Sequence, residues 1–293
     1  MARVGARRAL VDPPDREPGP PRGDRGGAAV NARTLETRKG ARVRLLEGGA
    51  DDARPLVFLH GVAGLLDDHT FLDLLAERYR VLAPELPGYG ESAGEELLED
   101  MLDFALHGWD VVEALGLGGR RPLLVGHSMG GMIAAEMACL APGALDKLVL
   151  VDALGLWLDE HPVPDLFSFL PFEFGDVLFH DPDRGAALLT GGLDFSDEEA
   201  LREFLVANAR RLGTAGKILF PVPNRRVSKR LYRATVDTRV VWGESDRLVP
   251  PAHADRWAEL LPCASVTRVA EAGHMVPYEQ PEALAREVAA FFG

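Results

Sequence analysis

Short apolar runs and longer amphipathic stretches alternate along most of this chain. Between Arg33 and Glu47 the apolar positions alternate loosely around Gly40, which predicts an antiparallel hairpin. Leu56-Val57-Phe58-Leu59 is a continuous apolar run, long enough for a buried strand and too short for a helix. Strands are predicted in the same way at 80–83, from Leu123 behind Pro122, at 148–151, at 238–242 and at 265–269. Helical patterns fall between them at 71–78, 97–115, in the Ala- and Met-rich stretch after Ser128, at 252–261 and at 281–292. This rhythm predicts an α/β fold with a mostly parallel central sheet flanked by helices. Ligands of such sheets sit beyond the carboxyl ends of the strands. The loops that begin at His60, Ser128 and Asp152 all fall there.

The rhythm stops at two places. From 153 to 236 prolines and aromatics (Trp157, Phe167, Phe169, Phe172, Phe174, Phe179) replace it, with helical patterns at 198–212 and 228–233. This stretch reads as an inserted helical cap, its aromatics forming a small core of their own with a few lining an apolar pocket. Residues 1–32 carry Pro13-Pro14, Pro18-Gly19-Pro20-Pro21 and scattered arginines without apolar periodicity, and read as a disordered extension. The core is then 33–152 with 237–293, and the cap is 153–236.

Composition narrows the partners. With 293 residues the chain can bury a substantial core, and a net charge of −13 argues against a nucleic-acid or anionic-membrane surface. No apolar run approaches the ~18 residues of a membrane span. Arg7-Arg8 is followed by no apolar segment of the kind an export signal needs. Cys139 and Cys263 read as free thiols, compatible with a reducing cytoplasm. No His, Asp or Glu spacing suggests a metal site, so no cofactor is expected.

The chemistry centres on Gly126-His127-Ser128-Met129-Gly130, between a predicted strand and a predicted helix. In that context Gly-x-Ser-x-Gly forms a sharp turn that lifts the serine hydroxyl above the sheet edge, with the Met129 amide at a helix N-terminus. A serine hydroxyl needs a base, and the base needs a third group to fix its tautomer. Among the eight histidines, His274 stands in a Gly-flanked loop after the last predicted strand. His127 is expected to point away from the turn, and His60 to order the loop at Gly61. Asp246 is the expected acid, four residues past Trp242, with Asp152 and Glu244 as alternatives.

Five motifs in this order, His60-Gly61, Leu86-Pro87-Gly88-Tyr89-Gly90-Glu91-Ser92, Gly126 to Gly131, Trp242 to Asp246 and Gly273-His274, resemble the α/β-hydrolase superfamily from residue 33 onward. Glu85 departs from the Asp of many relatives at a structural position. The resemblance implies Ser128 as nucleophile, His274 as base and then acid, Asp246 as its orienter, and the Val62 and Met129 amides as an oxyanion hole. It implies a serine hydrolase acting on a small or medium carboxylic ester within a capped apolar pocket. Two alternatives stand beside it, a carbon–carbon hydrolase of meta-cleavage type and a ligand receptor with a retained triad. His127 and Met275 stand where many carbon–carbon hydrolases carry Asn and Trp. Arg225, Arg226, Lys229, Arg230 and Arg233 read as a solvated helix face; one of them turned inward would hold a substrate carboxylate. The expected protein is a cytoplasmic monomer or homodimer with a small-molecule substrate and no nucleic-acid or membrane partner.

Overall fold

The computed structural model describes residues 29–170, 173–194, 196–220 and 226–293. The expected disorder of the N-terminal extension falls, through residue 28, outside the described residues, as do Phe172 and Arg225. β1 (Asn31–Glu36) begins two residues before the expected boundary, because its ladder with β2 (Arg42–Gly48) reaches Asn31 opposite Glu47. β3 (Pro55–Leu59), helix α1 (Thr70–Ala76) and β4 (Arg80–Pro84) follow. Helix α2 (Met101–Ala114) starts later than its amphipathic pattern, because Asp100 caps it by accepting from the Leu102 and Asp103 amides. Then come β5 (Leu123–His127), α3 (Met129–Leu140) and β6 (Leu148–Val151).

The region after β6 holds α4 (Phe174–Leu178), α5 (Pro182–Thr190) and α6 (Glu198–Leu219). Helix α6 runs past the expected end at 212, since Thr214, Ala215, Ile218 and Leu219 continue its buried face. In place of one helix at 228–233 there are two 3₁₀ turns, Val227–Lys229 and Leu231–Arg233. β7 (Thr238–Gly243), α7 (Ala252–Leu260), β8 (Ala264–Val269), a short α8 (Val276–Glu279) and α9 (Pro281–Phe292) complete the chain.

The eight strands form one sheet in the order β1-β2-β4-β3-β5-β6-β7-β8, antiparallel at β1-β2 and β2-β4 and parallel elsewhere. Strands β3, β5 and β6 are buried along their whole length, and their side chains alternate between two cores. Val57, Leu59, Leu124 and Leu150 face α2 and α3, while Leu56, Phe58, Val125 and Val151 face α1 and α9. The register sets Leu59 beside Gly126, and His127 beside Val151. The loops at 60, 128, 152, 244 and 270 therefore open on one edge.

Region 153–236 is tied to the core by charge as well as apolar packing. Arg210 pairs with Glu95 at 2.8 Å, and Lys217 Nζ donates to the Glu95 and Leu98 carbonyls. In the basic run Arg226, Lys229 and Arg233 are exposed, as expected of a solvated face, but two of its cations also reach the core. Arg230 pairs with Glu136 on α3, and Arg233 Nε donates to the Cys139 carbonyl at 2.9 Å.

Helix α3 packs against β3 with no room for a side chain at Gly130, where an added Cβ would lie 2.2 Å from the Leu59 carbonyl oxygen. Gly130→Ala is expected to cost about 1–3 kcal/mol or more in urea unfolding. Gly143→Ala, at an exposed position with open space around it, should leave the midpoint unchanged.

Candidate active site

β5 delivers its last residue to the sheet edge, and Ser128 turns the chain into α3 with φ 55° and ψ −118°. Non-glycine residues seldom occupy that region, so neighbouring bonds must hold it. The Ser128 amide donates to the Val151 carbonyl at 2.8 Å, and its own carbonyl accepts from the Met132 and Leu154 amides. The turn leaves Ser128 Oγ 2.7 Å from His274 Nε2. His274 Nδ1 lies 2.8 Å from Asp246 Oδ2. Asp246 Oδ1 accepts from the Leu248 and Val249 amides at 2.9 and 2.8 Å, which leaves Oδ2 for the imidazole. With Nδ1–H donating to the carboxylate, Nε2 presents a lone pair to the serine hydroxyl. All three side chains are buried.

The two loops that flank Ser128 are equally constrained. Gly61 lies against it, since a Cβ there would come within 2.9 Å of Ser128 Cβ. Val62 follows Gly61 and lines the same cleft, and Met129 opens α3, where the first amides lack intrahelical acceptors. His60 orders this loop as expected. Its Nδ1–H donates to the Gly61 carbonyl, Nε2 accepts from the Leu86 amide at 3.0 Å, and its ring packs against Tyr89 at a tilt of 58°. Burial pushes its pKa down to about 4, so it is neutral at pH 7.

His127 corrects the expectation. It lines the cleft with Ser128, and its Nε2–H donates to the His274 carbonyl at 2.7 Å. The 271–275 loop crosses the end of β5, so the last strand side chain meets it. Burial, reinforced by the neighbouring His274, lowers the His127 pKa to about 3. The alternative acids lie elsewhere. Asp152 Oδ1 accepts from the Gly243 amide at 2.8 Å, Oδ2 has no partner, and neither oxygen bonds His274. Burial first and the Asp246 charge second hold Asp152 protonated well above the ordinary carboxylate range. The Glu244 side chain makes no hydrogen bond to His274.

Three cleft and loop residues were not foreseen. Glu279 Oε2 accepts from the Gly273 amide at 2.7 Å and Oε1 from the His180 amide at 2.6 Å, so it joins the His274 loop to region 153–236. Asn208 and Arg211, three residues apart on α6, line the cleft. Their i, i+3 spacing was the available signal, masked by the neighbouring exposed cations. The cleft encloses about 40 Å³ and is otherwise mainly apolar, with Leu166, Phe174, Leu178 and Leu189 from region 153–236. Among the described residues, no group of three or more His, Cys, Asp or Glu could hold a metal ion, and no helix is long and apolar enough to cross a membrane.

An eight-stranded sheet of this order, with a serine turn between β5 and α3 at its open edge, defines the α/β-hydrolase fold. The model of the alpha/beta hydrolase family matches residues 56–287, and the chain belongs to that family. It is 32% identical over 253 residues to the dihydrolipoyllysine-residue acetyltransferase component of the acetoin cleaving system of Cupriavidus necator, covering 82% of this chain and 64% of that protein. It thus spans under two thirds of that relative's length. It is 24% identical over 277 residues to Lipase 3 of a Moraxella species, covering 92% of this chain and 86% of the lipase. The solved structure of a membrane phospholipase A, a bacterial virulence factor, superposes with a TM-score of 0.76 at 26% identity, covering 92% of this chain and 87% of that one.

The protonated Asp152 makes stability pH-dependent. Its folded pKa lies above the unfolded one, so the folded state holds the extra proton and stability falls as pH rises above about 4. Asp152→Asn keeps an acceptor for Gly243 and tolerates the positive φ of 46°. Urea unfolding across the pH range should show this variant with a flatter decline, by up to about 1.4 kcal/mol per pH unit. An unchanged slope would show that Asp152 is ionised in the folded protein.

Proposed function

We propose that this protein is a serine hydrolase that cleaves a short carboxylic ester through an acyl-enzyme. One observation carries the reading: Ser128 Oγ, the His274 imidazole and the Asp246 carboxylate are hydrogen-bonded in series at the base of an apolar cleft. His274 Nε2 takes the Ser128 proton as Oγ attacks the ester carbonyl, and Asp246 holds the imidazolium that forms. The developing oxyanion is received by the Val62 and Met129 amides, where the α3 N-terminus favours negative charge. His274 then protonates the departing alcohol. Water enters, gives its proton to the same nitrogen, and releases the acid from Ser128.

The residues around this series support a base that is held rather than mobile. His127 pins the His274 carbonyl, and Glu279 pins the preceding amide. Region 153–236 acts as the cap and closes the cleft with apolar side chains, which excludes water and strengthens the electrostatics inside. A free space of about 40 Å³ suits a short acyl chain. The lipase and phospholipase likenesses are consistent with ester chemistry, and the acetyltransferase likeness with acyl transfer in general.

A p-nitrophenyl ester series from acetate to decanoate, with wild type and Ser128→Ala, tests this. Turnover should be greatest for short chains and fall by on the order of 10⁶ in Ser128→Ala, to the assay floor. A fluorophosphonate should label Ser128 alone, as read by mass spectrometry. A folded protein that neither turns over an ester nor takes the label would sink the reading.

Asp246→Asn offers a separate check on the orienter. It leaves the Leu248 and Val249 contacts an oxygen acceptor but gives His274 the wrong tautomer partner. A kcat loss of about 10⁴ at unchanged stability is expected, by analogy with another serine hydrolase.

A further inference from the structure

Arg211 is the only Lys or Arg among the described residues that line the cleft. Several other cations of its region are occupied: Arg210 with Glu95, Lys217 with two carbonyls, Arg233 with the Cys139 carbonyl, while Arg202 is exposed and pairs with Glu199. Arg211 is half-buried, and among the described residues no carboxylate pairs with it. Its Nε–H donates to Asn208 Oδ1 at 2.9 Å, and Nη1 donates to the Ala63 carbonyl at 3.2 Å. These two bonds fix the plane of the guanidinium. They leave Nη2 and one Nη1 hydrogen without an acceptor among the described residues. Because Asn208 accepts through Oδ1, its NH₂ group is a further donor on the same wall of the cleft.

A cation set in an apolar wall is costly to keep without an anion. We propose that Arg211 and Asn208 form an anion subsite, and that the substrate is an ester carrying a carboxylate on its acyl part, a half-ester of a short dicarboxylic acid. This rests on the ester-hydrolase reading above and narrows it. A carboxylate carries a single charge, which one guanidinium neutralises, and its two oxygens match the paired Nη donors. A phosphate dianion would leave one charge uncompensated among Leu166, Phe174 and Leu178. The carboxylate belongs to the acyl part because that part stays bound to Ser128 while the alcohol leaves. Attack by Ser128 then expels the alcohol, and water releases the diacid.

The test compares monoethyl esters of C3 to C8 dicarboxylic acids with ethyl esters of monocarboxylic acids of equal length, on wild type, Arg211→Gln and Arg211→Lys. At one chain length wild type should favour the half-ester, and Arg211→Gln should lose about 10- to 100-fold in kcat/KM on it. The neutral esters, which feel only the lost bond to Ala63, should lose at least about 10-fold less than the half-esters, and Arg211→Lys should keep part of the preference as a point charge. Thermal melting confirms that each variant is folded. Equal losses on both series would show that Arg211 merely holds the 60–64 loop through Ala63, and would overturn the subsite. Turnover of neutral esters by wild type with no preference for half-esters would also overturn it, while ester hydrolysis stood.

Binding gives a readout without turnover. Calorimetry of monoethyl adipate on Ser128→Ala should show binding that Arg211→Gln in the same background weakens by about 10-fold or more. No difference between the two would overturn the subsite, whatever the esterase assay gives. Failure of fluorophosphonate labelling would instead count against the hydrolase reading alone.

Discussion

The structure depends on one unfavourable turn. At Ser128 the chain passes from a fully buried strand into a helix within a single residue, at a positive φ that lacks intrinsic support. It persists because both backbone groups of Ser128 are bonded to β6 and its following loop, and because Gly126 and Gly130 let α3 lie directly on β3 and β5. Asp152 and Glu271, at the ends of β6 and β8, also adopt positive φ. Strain is thus gathered along the same sheet edge as the candidate site, where the ends of the parallel strands hold it.

Polar groups buried at that edge are not interchangeable. Asp246 has one oxygen saturated by two amides, so the other is directed at His274. Asp152, a strand away, has one oxygen bonded and one without a partner, and burial keeps it protonated. Two carboxyl groups of the same residue type therefore have different hydrogen-bond partners at the same sheet edge. His60 and His127 are likewise held neutral by burial and spend their ring nitrogens on backbone groups. They fix loops, whereas the second nitrogen of His274 faces the Ser128 hydroxyl.

Region 153–236 is coupled to this edge through side chains whose importance the pattern did not signal. Glu279 bonds the amide before His274 and the His180 amide at once, and Arg247 Nη1 donates to the Asp176 and Phe179 carbonyls. Arg230 reaches Glu136 on the helix that begins at Ser128. The aromatics divide between roles. Phe179 is fully buried, Phe167 packs on Phe220, and Phe174 borders the cleft.

The sequence by itself determined the strands, the long helices and the order of the sheet-edge loops. Uninterrupted apolar runs such as Leu148–Val151 have no other low-energy place than a two-faced sheet. It also put forward Ser128, His274 and Asp246, because turn glycines and strand ends mark such positions locally. The tertiary structure alone decided which side chains converge. The cleft takes residues from 62, 128, 208, 248 and 274, and local pattern carries no information about contacts across such separations. That is why the pairing of Arg230 within an otherwise exposed run and the place of Arg211 passed unnoticed, and why His127 was given the wrong direction. Each of those outcomes is set by what a distant segment lays against the residue: Glu136 against Arg230, the His274 carbonyl against His127, and an apolar wall around Arg211.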